Sequence, residues 1–151
     1  MTVKKKPQAG GSEGVYTHEL EYLLREELDL ADITAGVAAA VTKSGFNSGS
    51  ATVFVPGATG AVTCLEYEPG VIADFKDALE RIAPRSMQYE HNRFQADGNG
   101  HSHVRAGLLG PSLAIPFVDG QLTLGVWQQV TLVNFDNRSR RRRVIVQVIG
   151  A

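Results

Sequence analysis

The chain has 151 residues, of which 43% are hydrophobic, and its formal net charge at pH 7 is −1. That length and composition predict one globular domain with a single core, and the small charge argues against nucleic acid or a membrane as a general partner. Because the chain has one cysteine, Cys64, and no apolar run of the roughly 18 residues that a membrane span needs, we expect a cytoplasmic protein without disulfides.

The first third of the chain predicts a tail, a strand and a helix. Residues 1–14 mix Lys, Pro, Gly and Ser without periodicity, which is typical of a disordered or loosely held tail in front of a single domain, 15–151. Residues 15–24 fit either a helix or a strand, and we favour a strand that ends in a turn near Asp29. Asp32 or Thr34 then caps a helix that ends at Ser44-Gly45.

The middle third predicts two strands and a helix. Residues 50–55 and 61–67 are rich in β-branched and aromatic side chains, so they predict strands on either side of the loop 56–60. That loop is a second candidate for ligand contact. Pro69 opens an amphipathic helix that Pro84 closes, and the polar residues 85–100 predict a long loop.

The last third predicts a meander of four strands. Residues 113–118 and 121–127 meet at Asp119-Gly120, a pair typical of tight hairpins, and residues 130–135 and 144–149 form another pair across Asn137. A further strand through His103 completes an α+β domain, mainly an antiparallel β-sandwich with two helices.

Polar groups are concentrated in residues 97–112. If residues 102–108 are extended, His101 and His103 point to one face of a strand, about 7 Å apart. Two imidazoles so placed are typical of zinc sites, so we expect a divalent metal, zinc first, with His91 as third ligand. The alternative is that Asp97 and Asn99 only fix a turn, and that the histidines are satisfied polar groups at a subunit interface.

The same stretch predicts roles in catalysis and binding. His103 or His91 can act as general acid or base, because imidazole titrates near neutrality. Arg105, Thr59 and the N–H groups of the glycine loop can hold a phosphate. We expect Asp97 or Asn99 to lie in one cleft with the histidines, and the ligand-binding residues to be Asp97, Asn99, Arg105, Thr59 and Gly57. No nucleophile-elbow serine, Walker loop or dinucleotide fingerprint occurs.

Five arginines stand close together near the C-terminus, Arg138 and Arg140 to Arg143. Such a run is typical of a solvated strand end that blunts an exposed sheet edge. A phosphate or subunit contact is the alternative interpretation.

Several motifs resemble those of the YjbQ family, small proteins linked to a weak, secondary thiamine-phosphate-synthase activity. The matching series runs from Asp97-Gly-Asn-Gly through His103-Val-Arg-Ala, Leu109-Gly-Pro-Ser and Gly120-Gln-Leu-Thr-Leu-Gly-Val-Trp-Gln to Arg142-Arg-Val. The resemblance implies a mainly-β α+β sandwich that assembles as a homotrimer, with a polar, histidine-lined cleft. Apolar residues near Trp127 and Leu132 also favour self-association.

One position departs from the family pattern. Gly57 stands where the family usually has a histidine, whereas Thr59, His91 and His103 match family residues and His101 falls where the pattern often has Asp. Two functions therefore stay open. One is an enzyme of the synthase type that joins or hydrolyses a phosphorylated heterocyclic molecule, and the other is a non-catalytic, metal- or ligand-binding trimer.

Overall fold

The computed structural model describes residues 12–151, which form eight strands in two antiparallel sheets and four helices. The strands are β1 (Gly14–Leu24), β2 (Asp29–Asp32), β3 (Gly49–Phe54), β4 (Gly60–Leu65), β5 (Ser112–Val118), β6 (Gln121–Leu122), β7 (Gln129–Asn134) and β8 (Arg140–Gly150). The helices are α1 (Thr34–Ser44), α2 (Pro69–Ile82), α3 (His91–Phe94) and α4 (Gly100–Leu109). The predicted α+β, mainly antiparallel architecture is confirmed, but these residues hold four helices where two were expected. The predicted tail lies mostly outside the described residues, and Gly14 already begins β1.

The larger sheet has the strand order β1-β8-β3-β5-β6, and the smaller sheet has the order β2-β7-β4. The main core draws buried side chains from both sheets and from α1. A second apolar cluster, on the other face of the smaller sheet, joins Leu79 of α2 and Ala106 of α4 to Val133 and Phe135. Strand β7 therefore contributes to both clusters, and its two faces are buried.

The predicted four-strand meander is wrong at its second half. Strands β7 and β8 do not pair, because β7 lies between β2 and β4 in the smaller sheet and β8 lies between β1 and β3 in the larger one. The continuous burial of residues 130–134 explains the difference, since a strand buried on both faces must lie between two layers of structure. The chain crosses from one sheet to the other at residues 135–139, next to the site described below.

Several local predictions are confirmed. Residues 15–24 form a strand, and β5 and β6 meet at a turn in which Asp119 and Gly120 have φ values of 52° and 69°, as a type I′ turn requires. Helix α1 ends at Gly45, whose φ of 72° is left-handed. None of the helices within residues 12–151 is long and apolar enough to cross a membrane.

The predicted strand through His103 is a helix, α4. Its buried residues include His101, Ser102, Arg105 and Ala106, which recur with the spacing of one helical face. Two of these residues, His101 and Arg105, carry ionisable groups, so the buried face of α4 is not apolar. Hydrophobic periodicity therefore does not indicate this helix. The local alternation of His, Ser and His indicated a strand that does not form.

Candidate functional site

The side chains of the two histidines of helix α4 point to different sides of the helix. Residues two apart on an α-helix point about 200° apart, whereas on a strand they would share a face. His101 is 1% exposed and packs inside the molecule, and His103 lies half-buried beside His91 of α3. The expected convergence of His91, His101 and His103 is therefore wrong for His101 and holds for the other two.

His91 and His103 form the centre of the candidate site. Their ring centroids are 4.3 Å apart, with an angle of 46° between the ring planes. His91 Nε2 lies 3.2 Å from Asn99 Oδ1 and 3.5 Å from Asp97 Oδ1. The loop 97–100 thus brings its two polar side chains to His91, as the sequence predicted for that loop.

Asn99 links this pair to a buried carboxylate. Its amide Nδ2 donates to Asp136 Oδ1 at 3.3 Å, so its Oδ1 faces His91 and favours the tautomer with a proton on His91 Nε2. Asp136 is fully buried, and its Oδ2 accepts from Arg140 Nη2 at 2.5 Å and from Thr59 Oγ1 at 3.4 Å. The network is continuous from His91 to Thr59.

The charges in this network favour an ionised Asp136 and a neutral His103. Burial by itself raises the pKa of Asp136, but hydrogen bonds from Arg140 and Asn99 outweigh burial, and the pKa lies below its ordinary value. For His103, burial lowers the pKa and the neighbouring His91 lowers it further, against an opposite effect of Asp97 and Asp136. His103 is therefore a neutral imidazole at pH 7, with a ring nitrogen that can accept a proton.

A cavity of about 300 Å³ opens beside His103. Loop 56–60 supplies one wall and α4 the other, and the lining residues are Gly57, Ala58, Gly60, His103, Ala106, Gly107 and Pro111. His103 is the one polar side chain among them. The cavity therefore offers an apolar surface with a single imidazole at its edge.

Arg142 lies behind loop 56–60, and the sequence indicated it only as part of the arginine run, for which a phosphate or subunit contact was the alternative interpretation. Its Nη2 donates to the backbone O of Thr59 at 2.8 Å, to Thr59 Oγ1 at 2.9 Å and to Asn134 Oδ1 at 2.6 Å. Thr59 is thus buried, and its Oγ1 is hydrogen-bonded to both Asp136 and Arg142. The predicted solvated strand end is wrong for Arg142, because β8 is an inner strand and Arg142 points inward. Side chains alternate between the two faces of a strand, and this alternation along the arginine run could have indicated that Arg142 is buried.

The other arginines of the run are on the surface or at its edge. Arg141 Nη1 pairs with Glu21 Oε1 at 3.0 Å, and Arg143 Nε pairs with Glu19 Oε2 at 2.7 Å, both across the β1–β8 pair. These exposed pairs fit the expected solvated role.

His101 and Arg105 belong to a separate buried cluster. His101 Nε2 lies 2.6 Å from Glu27 Oε1, and Arg105 Nη2 lies 2.5 Å from Glu80 Oε2. Arg105 is fully buried; its Nη1 lies 3.4 Å from Glu27, and its Nε donates to the backbone O of Ala83. Its donors are committed to protein partners, so the structure does not bring Arg105 to the cavity where a phosphate was expected.

The proposed set of metal ligands does not come together. His101 is occupied by Glu27 on the other side of α4, and in residues 12–151 no group of three or more His, Cys, Asp or Glu side chains is placed to hold a metal ion. The donors near the cavity are two imidazoles, one exposed carboxylate and one buried carboxylate that is already paired. This set fits an acid–base or anion site better than a zinc site.

A larger cavity, of about 470 Å³, lies between β4 and β5. Its lining includes Cys64, Thr63, Thr123 and Gln128 but no histidine or charged residue. Burial raises the pKa of the Cys64 thiol, which makes it a poor nucleophile. We therefore assign the candidate site to the smaller cavity, which has the contact between His103 and His91 at its edge.

Comparison with known proteins gives a consistent result. The family model described as UPF0047 protein YjbQ-like matches residues 18–151. A UPF0047 protein of Methanothermobacter thermautotrophicus is 36% identical over 136 residues, which cover 90% of this chain and 93% of the relative. A UPF0047 protein of Mycobacterium tuberculosis is 35% identical over 115 residues, or 76% of this chain and 84% of the relative.

Solved structures agree in fold. A YbjQ-like protein of unknown function from Sulfolobus solfataricus superposes with a TM-score of 0.88 at 30% identity, covering 93% of this chain and all of the other. A YjbQ/UPF0047 protein from Clostridium acetobutylicum gives a TM-score of 0.76 at 34% identity, covering 86% of this chain and 99% of the other. The chain therefore belongs to the YjbQ (UPF0047) family.

Proposed function

We propose that this protein is a small-molecule enzyme that binds a phosphorylated heterocyclic compound in the cavity beside His103. The observation that carries the proposal is the contact of His103 with His91, 4.3 Å between centroids, at the edge of an apolar cavity. Paired imidazoles with a supporting carboxylate and amide are a common arrangement for proton transfer.

His103 is the proposed proton carrier. Its lowered pKa keeps it neutral near pH 7, so it can accept a proton from water or from a substrate group, or donate a hydrogen bond through its other nitrogen. His91 lies behind it, held by Asn99. In this arrangement His91, Asn99 and Asp136 are positioning residues, and His103 is the residue that reaches the ligand.

Two reactions fit this site. In hydrolysis, a water oxygen bonds to phosphorus, His103 takes the proton, and the ester P–O bond breaks with its electron pair on the leaving oxygen. In a synthase reaction, a ring nitrogen bonds to the carbon that carries a diphosphate, the C–O bond breaks, and the diphosphate leaves with the electron pair. An imidazole N–H can then donate to the leaving oxygen.

The cavity lining supports a ligand with a flat, weakly polar body. Six of the seven lining residues have no polar side-chain atom, which suits the ring of a heterocycle more than a sugar. Gly57, which lines this space, stands where the family usually has a histidine.

A histidine scan tests the proposal. The chain has four histidines, and each is replaced by Asn before thiamine-phosphate-synthase and phosphomonoesterase assays, with and without zinc. We expect His103→Asn to lower kcat by about 10²–10⁴-fold, His91→Asn to lower it less, and the matched control His18→Asn on β1 to leave it unchanged. Equal activity of wild type and His103→Asn would contradict the proposal.

The alternative is a ligand-binding protein without catalysis, because Gly57 replaces a family histidine. If the wild type binds phenyl phosphate but shows no activity in either assay, the alternative is the better account. If the wild type binds zinc, and His91→Asn and His103→Asn each abolish that binding, a non-catalytic metal-binding protein would be favoured.

We also propose that the protein assembles as a homotrimer. Two neighbouring apolar residues after β6 support this, since Val126 is 82% exposed and Trp127 73% exposed. The outer face of the larger sheet adds the exposed side chains of Val15, Phe54 and Ile149. Leu132, by contrast, is fully buried in the main core and contributes nothing to such a surface.

A further inference from the structure

Among residues 12–151, no carboxylate forms a direct ion pair with the buried guanidinium of Arg142. The side chain belongs to a residue that is 7% exposed, and its three hydrogen bonds all leave from Nη2 to neutral oxygens of Thr59 and Asn134. Within the described residues its buried Nε has no hydrogen-bond partner. Because a buried cation is costly when it is unpaired, such a group is expected to serve a ligand.

Asp136 acts electrostatically on Arg142, but that carboxylate is shared with two other arginines. Asp136 is bonded to Arg140 at 2.5 Å and also lies 3.8 Å from Arg138. Three guanidinium groups thus surround one carboxylate. The local excess of positive charge favours an anion, and a doubly charged one in particular.

Two glycines separate the guanidinium from the cavity. A Cβ atom on Gly57 would lie 3.6 Å from Arg142 Nη1, and a Cβ atom on Gly60 would lie 3.2 Å from its Nε. Both glycines line the cavity beside His103. The loop backbone at these two glycines lies between the cavity and the guanidinium, and neither glycine adds a side chain to that barrier.

We propose that Arg142 is the anion-recognition residue of this cavity and binds the phosphate group of a phosphorylated small molecule that lies over Gly57 and Gly60. The inference rests on the proposed function and deepens it. It assigns to Arg142 the role that sequence reasoning gave to Arg105, and it places the phosphate at the loop end of the cavity, with the body of the molecule towards His103 on α4.

The first test places a competing charge in the cavity without touching Arg142. Gly107 lines the cavity from α4, and a Cβ atom there meets no other atom within 4 Å. Gly107→Glu introduces a carboxylate, and Gly107→Gln is its neutral control of the same size. Calorimetric titration uses inorganic phosphate and phenyl phosphate as probes.

We expect Gly107→Gln to keep measurable phenyl phosphate binding, weakened relative to the wild type by the side chain that it adds to the cavity, and Gly107→Glu to bind at least tenfold more weakly than Gly107→Gln. Benzoate, which carries one negative charge, should bind more weakly than phenyl phosphate to the wild type. Absence of phosphate binding by the wild type, or equal binding by the Glu and Gln variants, would overturn the inference.

The second test replaces Arg142 itself. We expect Arg142→Gln to lose phenyl phosphate binding and Arg142→Lys to keep part of it, so that the Lys variant still reports if the Gln variant does not fold. His103→Asn separates this inference from the proposed function. If His103→Asn loses activity but keeps phosphate binding, the proposed function and the role of Arg142 are both supported. If Arg142→Gln keeps phosphate binding, the anion site is contradicted, while the proposed role of His103 is unaffected.

Discussion

His101 and His103 are two residues apart on α4 and serve opposite sides of it: His101 Nε2 lies 2.6 Å from Glu27 Oε1 inside the molecule, and the ring of His103 contacts His91 beside the cavity. The two histidines therefore differ in their surroundings although they are close in sequence. One holds the fold together, and the other is available to a ligand.

This difference predicts opposite effects of the same substitution. His101→Asn should lower the free energy of unfolding by about 2 kcal/mol, because it removes a buried hydrogen bond to a carboxylate, while ligand binding by the folded fraction stays within about twofold. His103→Asn should abolish activity at little cost in stability. Urea unfolding and binding measurements on both variants check this, with His18→Asn as the control. A site in which His101 takes part would show loss of binding in both.

Stability should depend on pH through His103. Its pKa is lowered in the folded protein, and an unfolded histidine titrates near about 6.5, so the unfolded state binds more protons between those two values. The contribution of His103 to the free energy of unfolding should thus be constant above about pH 7.5 and fall as the pH drops through that window. Urea titrations at several pH values should give a shallower fall for His103→Asn. Identical slopes for the two proteins would show that the pKa is not lowered.

Asp136 should contribute to stability and to the site. Its pKa is lowered, so its contribution is present above the unfolded value of about 3.9 and is lost as the pH falls through the folded value. Asp136→Asn should cost about 2–3 kcal/mol near pH 7, because Arg140 loses its partner and Asn99 is no longer held. It should also lower the activity that depends on His91.

The control for Asp136 is Arg138→Gln. Arg138 is exposed and lies 3.8 Å from the same carboxylate, so its loss should change the free energy of unfolding by less than about 0.5 kcal/mol. If the two variants were equally destabilised, the buried network would not be the source of the effect.

Self-association should depend on the exposed apolar residues after β6. Light scattering at micromolar concentration should give the mass of three chains for the wild type, and Val126→Ser combined with Trp127→Gln should shift it towards one chain, because burial of a large aromatic residue contributes much of the energy of an interface. Thr123→Ser, in the same segment, is the control. A wild type that scatters as a monomer would exclude the trimer.

The sequence predicted the fold class because its strongest signals are local ones. The β-branched runs, the Asp119-Gly120 turn and the apolar stripe of α2 each depend on a few neighbouring residues. The pairing of β7 and β8 could not be predicted in this way, since it depends on whether a strand is covered on one face or on two.

The part of the site that was predicted also depends on residues that are close in sequence. His91, His103, Asp97 and Asn99 are close in sequence, and they are close in space. The helical state of residues 100–109 was missed because its buried face carries His101 and Arg105. Arg142 was not singled out within the arginine run because Thr59 is 83 residues away in sequence, and because Asn134 belongs to the other sheet although it is only eight residues away.

Side-chain NMR of the four histidines tests the central claim most directly, because it reports on each imidazole separately. Phenyl phosphate is titrated into protein labelled with nitrogen-15 while the ring nitrogen signals are recorded. We predict that the signals of His103 shift saturably, that those of His91 shift less, and that those of His101 and His18 do not move. Unchanged His103 signals, or a response of His101 equal to that of His103, would contradict the account.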